Sequence, residues 1–252
     1  MKNLIIITVL IYFLAMGLLF IFQIDLIYKK KYAHPYKPIH AKLLEFTTSD
    51  GIKLEGGLIE HNKKNELVLY FGGNAANVLH FLDNVAEKID KYNFIAFNYP
   101  GYGNSKGKPS QEKILKYALE IAKQYKPKHI IGRSLGTSVA SFVSSKYPVE
   151  SLLLITPFDS IEEVAQNLYP IFPIKLLIKD SFRELEWLKS SKAKCINAIF
   201  VKNDEVIPKE NIIHLQNEIE FNKSITIDES HNYIYLYHNI DKLISKLLEC
   251  KE

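Results

Sequence analysis

The sequence is poor in the features that mark several large functional classes. Across 252 residues there are only two cysteines, Cys195 and Cys250, at no spacing that suits a metal or a redox pair. So low a count does not build a stapled secreted fold, and both are expected as free thiols. No H-E-x-x-H occurs, and neither a metal nor an organic cofactor is expected. The formal charge of +4 is spread along the chain, without a basic arm or an aromatic-interleaved basic stripe, which argues against nucleic acid. The nearest approach to a phosphate loop is Gly101-Tyr102-Gly103-Asn104-Ser105-Lys106-Gly107-Lys108. Five residues separate Gly101 from Gly107, and Pro109 stands where Ser or Thr would hold Mg²⁺, so it is not one. There is no internal repeat.

What is present begins at the amino terminus. Residues 4–24 are almost wholly apolar, interrupted by Thr8, Tyr12, Gly17 and Gln23. About 20 such residues at 1.5 Å rise match the ~30 Å hydrocarbon core of a bilayer. Residues 1–28 are therefore read as a membrane anchor. A cleaved signal peptide, with a small-x-small site at Ala15-Met16-Gly17, is the competing reading, but the apolar run is too long for an ordinary signal core. A buried core helix is a third. One lysine, Lys2, precedes the span, whereas Lys29, Lys30, Lys31 and Lys37 follow it. That imbalance favours the domain beyond it on the cytoplasmic side of a single-pass arrangement.

Residues 29–42 read as a stalk, with Pro35 and Pro38 discouraging helix. From 43 to 252 the pattern changes. Two extended runs, 43–48 and 52–59, flank Ser49-Asp50-Gly51 as a hairpin. Apolar runs at 67–71, 94–98, 129–131, 152–155, 196–201 and 224–227 then alternate with helix-like stretches, including 78–91 and 111–125. Short continuous strands separated by helices imply an α/β domain with a mostly parallel sheet covered on both faces. Residues 159–194 carry helical patterning without a strand, as expected of a small cap.

Gly132-Arg133-Ser134-Leu135-Gly136 reads G-x-S-x-G between an apolar run and a helix-like segment, a serine on a sharp strand-to-helix turn. A serine hydroxyl needs a base, usually a histidine oriented by a carboxylate. Asp204 and His231 follow it, each just past a strand-like run, in the order Ser, acid, His. Of eight histidines, His231 alone lies on a post-strand loop near the end. Asp159 also follows a strand and precedes His231; it is the alternative acid, with helix capping as its other role. Glu205 is expected to be solvated. The oxyanion donors are expected to be the backbone N–H groups of Leu135 and Asn74, the latter in Gly72-Gly73-Asn74-Ala75-Ala76-Asn77.

The segments Leu69-Tyr70-Phe71-Gly72-Gly73-Asn74-Ala75-Ala76-Asn77, Asn98-Tyr99-Pro100-Gly101-Tyr102-Gly103-Asn104-Ser105, Gly132-Arg133-Ser134-Leu135-Gly136-Thr137 and Thr156-Pro157-Phe158-Asp159-Ser160 together resemble α/β-hydrolase-fold proteins of the serine aminopeptidase-like (peptidase family S33-like) branch. The resemblance covers about residues 43–248. It implies an eight-stranded, mostly parallel sheet with helices on both faces, and a Ser134–Asp204–His231 triad. The chain departs from the branch's pattern twice. Gly72 stands where a histidine supports the oxyanion loop, and Val201 stands where glycine precedes the acid by three residues.

The expected activity is a serine hydrolase cleaving an acyl ester or thioester of a small-molecule or lipid-derived substrate. The apolar cap around 168–178 (Tyr169, Ile171, Phe172, Ile174) either lines an acyl pocket or simply packs on the sheet. Two alternatives stand beside it. One is a peptidase releasing amino-terminal residues, with Glu162-Glu163 as the group that would hold the substrate amine. The other is a non-catalytic, membrane-tethered binding protein on the same fold.

Overall fold

A computed structural model of the chain describes residues 1–250. It opens on a long helix, α1 (Lys2–Ile27), the one helix among the described residues long and apolar enough to cross a membrane. Most of its surface is exposed, and Gln23 is its buried residue.

The sheet is built from β1 (Lys42–Thr47), β2 (Lys53–Ile59), β3 (Leu67–Phe71), β4 (Asn93–Phe97), β5 (His129–Arg133), β6 (Val149–Ile155), β7 (Ala193–Asn203) and β8 (Lys223–Ser230). Their order is β1-β2-β4-β3-β5-β6-β7-β8. The hairpin expected around Ser49-Asp50-Gly51 is present: β1 pairs antiparallel with β2, which pairs antiparallel with β4. All pairings from β4 onward are parallel.

Central strands are apolar on both faces because helices cover both. On one side α3 (Gln111–Tyr125) and α4 (Leu135–Lys146) pack on Leu69, Phe71, Ile130, Leu152 and Leu154. On the other, α2 (Val78–Asn84) and α9 (Ile240–Leu248) pack on Val68, Tyr70, Ile131, Leu153 and Ile155. The alternation along each strand sends successive side chains to opposite layers. The sequence of α3 explains its bounds. Ser110 caps its start by accepting from Lys113 N, Ile114, Tyr117, Ala118 and Ile121 repeat at helical spacing toward the core, and Lys126 ends it in the left-handed region. Between β7 and β8 runs α8 (Lys209–Glu218). The cap holds α5 (Ile161–Leu168), α6 (Ile174–Leu177) and α7 (Glu184–Lys189), and β7 takes over at Ala193.

Three local expectations change. The helix expected over 78–91 stops at Asn84 and continues as a 3₁₀ turn, Ala86–Lys88. The cysteines are not free thiols: Cys195 and Cys250 are joined in a disulfide with Cα atoms 5.7 Å apart. Sequence distance hid this, because α9 folds back along β6 and β7 and carries Cys250 to the start of β7. Finally, residues 29–42 are not a free stalk. Tyr28, Ala33 and Ala41 are buried, Gly103 N donates to Ala33 O, and Asp83 accepts from the amides of Ile39, His40 and Ala41.

Candidate active site

Ser134 is the single residue between β5 and α4, and its φ of 51° puts it in the left-handed region. Such a conformation costs on the order of 1–3 kcal/mol and persists only where the surroundings enforce it. Close packing does so here. A Cβ on Gly132 would stand 2.6 Å from Thr137 Cα, and one on Gly136 would stand 2.6 Å from the Gly72 carbonyl oxygen. The start of α4 therefore lies tight against β3 and β5, with its amides and positive dipole end beside the hydroxyl.

His231 follows β8, and Asp204 follows β7, both at the carboxyl edge of the sheet where β5 delivers Ser134. His231 Nε2 lies 2.8 Å from Ser134 Oγ, and His231 Nδ1 lies 2.9 Å from Asp204 Oδ2. A carboxylate only accepts, so Nδ1 carries the proton and Nε2 is left to accept from the serine. Asp204 Oδ1 accepts from Val206 N and Ile207 N at 3.0 and 2.7 Å. Burial pushes the Asp204 carboxyl up, but the bond and charge of His231 and those two amides outweigh it, and the carboxyl titrates below its ordinary value. The group is thus held as an anion beside an imidazole that is only 2% exposed.

Asp159 is not part of this chain of bonds. Its buried carboxylate accepts from Ser160 N at 2.7 Å and Asn211 Nδ2 at 2.8 Å, and faces His214 Nδ1 at 2.9 Å. Position after a strand made it a rival acid; its bonds tie the cap's first turn to α8 instead.

Among the described residues, neither Leu135 N–H nor Asn74 N–H is spent on a hydrogen bond within the chain. The Asn74 side chain, by contrast, is fully engaged. Its Oδ1 accepts from Lys29 N at 2.8 Å and from Tyr102 Oη at 2.8 Å, and its Nδ2 donates to Ile27 O. Tyr99 Oη donates to Gly72 O at 2.9 Å. The loop that lacks the branch's histidine is therefore braced by two tyrosines and by the carboxyl end of α1. A side chain at residue 72 would also crowd α2, since its Cβ would sit 2.9 Å from Val78 Cγ1. Val201, the other departure, is buried in the layer beneath α9.

Three supporting residues carried no motif. Arg133, buried, donates from Nη2 to His231 O at 2.8 Å, while its Nε has no partner among the described residues. Glu205 is not idle in solvent: its Oε2 accepts from His231 N at 2.8 Å, and its Oε1 from Asn232 Nδ2 at 2.9 Å. His231 is so fixed through both its backbone groups. Glu184, fully buried on α7, lies with Oε2 at 2.7 Å from Thr137 Oγ1 and 2.9 Å from Ser138 Oγ. Burial raises its pKa to about 8, against the opposing pull of those two hydroxyls. Thr137 Oγ1 also lies 2.6 Å from Ser134 O. The Thr137 hydroxyl thus sits between the Glu184 carboxyl and the carbonyl of Ser134. Among the described residues no cluster of His, Cys, Asp and Glu could hold a metal ion.

An eight-stranded sheet in this order, with a serine on the β5–α4 turn, defines the α/β-hydrolase fold, and the chain is a protein of that fold. A sequence profile of the alpha/beta hydrolase fold matches residues 66–185. The alpha/beta hydrolase domain-containing protein WAV2 of Arabidopsis thaliana is 30% identical over 66% of this chain and 61% of its own length. An uncharacterized membrane protein of Saccharomyces cerevisiae is 30% identical over 66% of this chain and 63% of its own. The chain thus spans about three-fifths of the length of such curated relatives. Among solved structures, an esterase from Pyrococcus furiosus superposes with a TM-score of 0.64, at 18% identity, over 82% of this chain and 89% of its own.

Proposed function

We propose that this chain is a membrane-anchored serine hydrolase that cleaves an acyl ester or thioester through an acyl-enzyme. The observation that carries the reading is the unbroken relay from Ser134 Oγ to His231 Nε2 at 2.8 Å and from His231 Nδ1 to Asp204 Oδ2 at 2.9 Å. Ser134 Oγ attacks the acyl carbonyl as His231 takes its proton, and Asp204 fixes the imidazole tautomer and stabilises the imidazolium. The amides of Leu135 and Asn74 receive the developing oxyanion. His231 then protonates the leaving alcohol or thiol. Water, deprotonated by the same histidine, releases the acid and restores Ser134.

The peptidase reading has less support. Glu163 is ion-paired with Lys175 at 2.5 Å and Glu162 with Arg183 at 3.4 Å, which leaves neither carboxylate open for a substrate amine. A binding protein without catalysis has no need of a strained serine in register with a base.

Membrane attachment rests on α1, with its apolar length and exposed side chains. Lys29, Lys30 and Lys31 after the span favour a cytoplasmic domain, whereas the Cys195–Cys250 disulfide favours an oxidising compartment. Alkylation of denatured, unreduced protein separates the two. Thiols that alkylate without reductant place the domain in the cytoplasm, and thiols that alkylate only after reduction place it outside. The activity itself is tested with chromogenic acyl esters and thioesters on the detergent-solubilised protein. Turnover by the wild type and none by Ser134→Ala is expected; equal rates for the two would end the proposal.

A further inference from the structure

The face of α1 that packs on the domain is a stripe at helical spacing: Tyr12, Leu19, Gln23 and Ile27. Its partner is the cap. Tyr12 Oη donates to Ile171 O at 2.9 Å, and its ring stacks on Phe172 with centroids 5.4 Å apart. Gln23 Nε2 donates to Leu177 O at 3.1 Å, and Gln23 Oε1 accepts from Lys179 N at 2.7 Å. Tyr12 is fifteen residues from Ile27, or about 22 Å along the helix. If α1 crosses a hydrocarbon layer ~30 Å thick, Ile171 and Phe172 lie deep inside that layer.

The cap's surface suits that depth. Ile171 is 71% exposed and Leu176 85%, with Leu168 and Tyr169 also exposed. The neighbouring face of α1 exposes Leu14, Leu18 and Phe22, of which Leu18 and Phe22 line one groove with Tyr169 and Phe172. Two cations lie near it. Lys175 is paired with Glu163, and the Lys179 ammonium lies 4.2 Å from the centroid of the Phe20 ring, about 10 Å from the end of α1.

Between anchor and cap runs an apolar groove. Its outer part, about 360 Å³, is lined by Ala15, Leu18, Phe22 and Phe172 and shares Leu19, Leu26 and Tyr169 with an inner part of about 80 Å³. The inner part is closed by Ile174, Leu177 and Ile27. Ile27 O is the acceptor of Asn74 Nδ2, so the inner end of the groove abuts the loop proposed to hold the oxyanion. Ser134 itself is only 7% exposed. The groove runs along α1 and its inner part reaches Ile27.

We propose that the groove between α1 and the cap binds an acyl chain of a bilayer lipid, which enters laterally from the membrane in which the cap is embedded. This deepens the reading of a serine hydrolase by naming a membrane lipid as its substrate class, and it rests on that reading. The groove's walls make the commitment: one is a membrane helix, the other an apolar cap exposed at the same depth, and no cation or carboxylate lines either part.

The test uses the full chain in nanodiscs of phosphatidylcholine that carries a photoreactive group within its acyl chain. Crosslinked residues are mapped by mass spectrometry. Adducts are expected on Leu19, Leu26 and the 165–178 segment, in the wild type and equally in Ser134→Ala, since binding precedes chemistry. Filling the groove with Ala165→Trp, or with Leu177→Trp should the first fail to fold, should lower cap adducts at least fivefold while leaving those on Leu10 and Phe13 unchanged. Adducts confined to the outer face of α1, with none on the cap, would overturn the proposal. Groove adducts in a protein that cleaves no ester or thioester would instead leave the lipid site standing and remove the hydrolase reading.

Discussion

Two regions of this protein were built by different rules: the serine site and the junction between anchor and cap. The site is assembled from residues that each sit one step past a strand, and the parallel sheet gathers them at one edge without further instruction. The junction is assembled from partners more than 150 positions apart, and much of it is made by backbone carbonyls and amides. The first region would carry its proposed chemistry in side-chain identity. The second rests on apolar packing and on two polar side chains, Tyr12 and Gln23, that meet backbone groups of the cap. Asn74 belongs to both, with its amide in the site and its side chain on the end of α1.

The largest effect should come from the site. Ser134→Ala should lower turnover by roughly 10⁴-fold or more with little change in melting temperature, because loss of the nucleophile leaves only binding and the oxyanion donors. Asp204→Asn should cost about 10³–10⁴-fold by leaving the wrong imidazole tautomer. Asp159→Asn should change turnover less than about threefold while lowering stability by roughly 1–3 kcal/mol through the lost bonds to Asn211 and His214. Reversal of the last two results would exchange the roles of the two aspartates.

Asn74→Ala probes the link between the regions. It removes the ties to Ile27, Lys29 and Tyr102 but keeps the amide, so a fall of roughly tenfold to a hundredfold in kcat with little change in KM is expected, below the cost of losing an oxyanion donor outright. An unchanged kcat would make anchor and site independent. The smallest effect concerns Glu184. Folded, it keeps its proton up to about pH 8, whereas in the unfolded chain it loses it near pH 4.5. Stability should therefore fall as pH rises through that window, since the folded state binds the extra proton. Glu184→Gln should flatten the slope, with a gain over wild type on the order of a few kcal/mol at pH 8.5 and little at pH 4.5. Melting curves across that range check it.

The sheet was legible because strand alternation is a local signal, and the post-strand loops that suggested Ser134, Asp204 and His231 place the three within hydrogen-bonding distance. Asp159 was ambiguous for the same reason, since it obeys the same local rule, and only the bonds of Asn211 and His214 tell it apart. Glu205 and Arg133 were not legible. They act on the backbone of His231, which no motif records. The Cys195–Cys250 bond and the packing of residues 29–42 were missed because both depend on which surfaces α9 and the domain present at long range. Gln23 was visible only as an interruption in an apolar run, and its burial against Lys179 N explains why a polar residue is tolerated there.

The central claim, that His231 and Asp204 activate Ser134, is tested most directly by mapping the adduct of a fluorophosphonate on the solubilised protein. Peptide mass spectrometry should find the adduct on Ser134 in the wild type, and no adduct in His231→Ala. Labelling of His231→Ala at the wild-type rate, or no labelling of folded wild-type protein, would contradict the account.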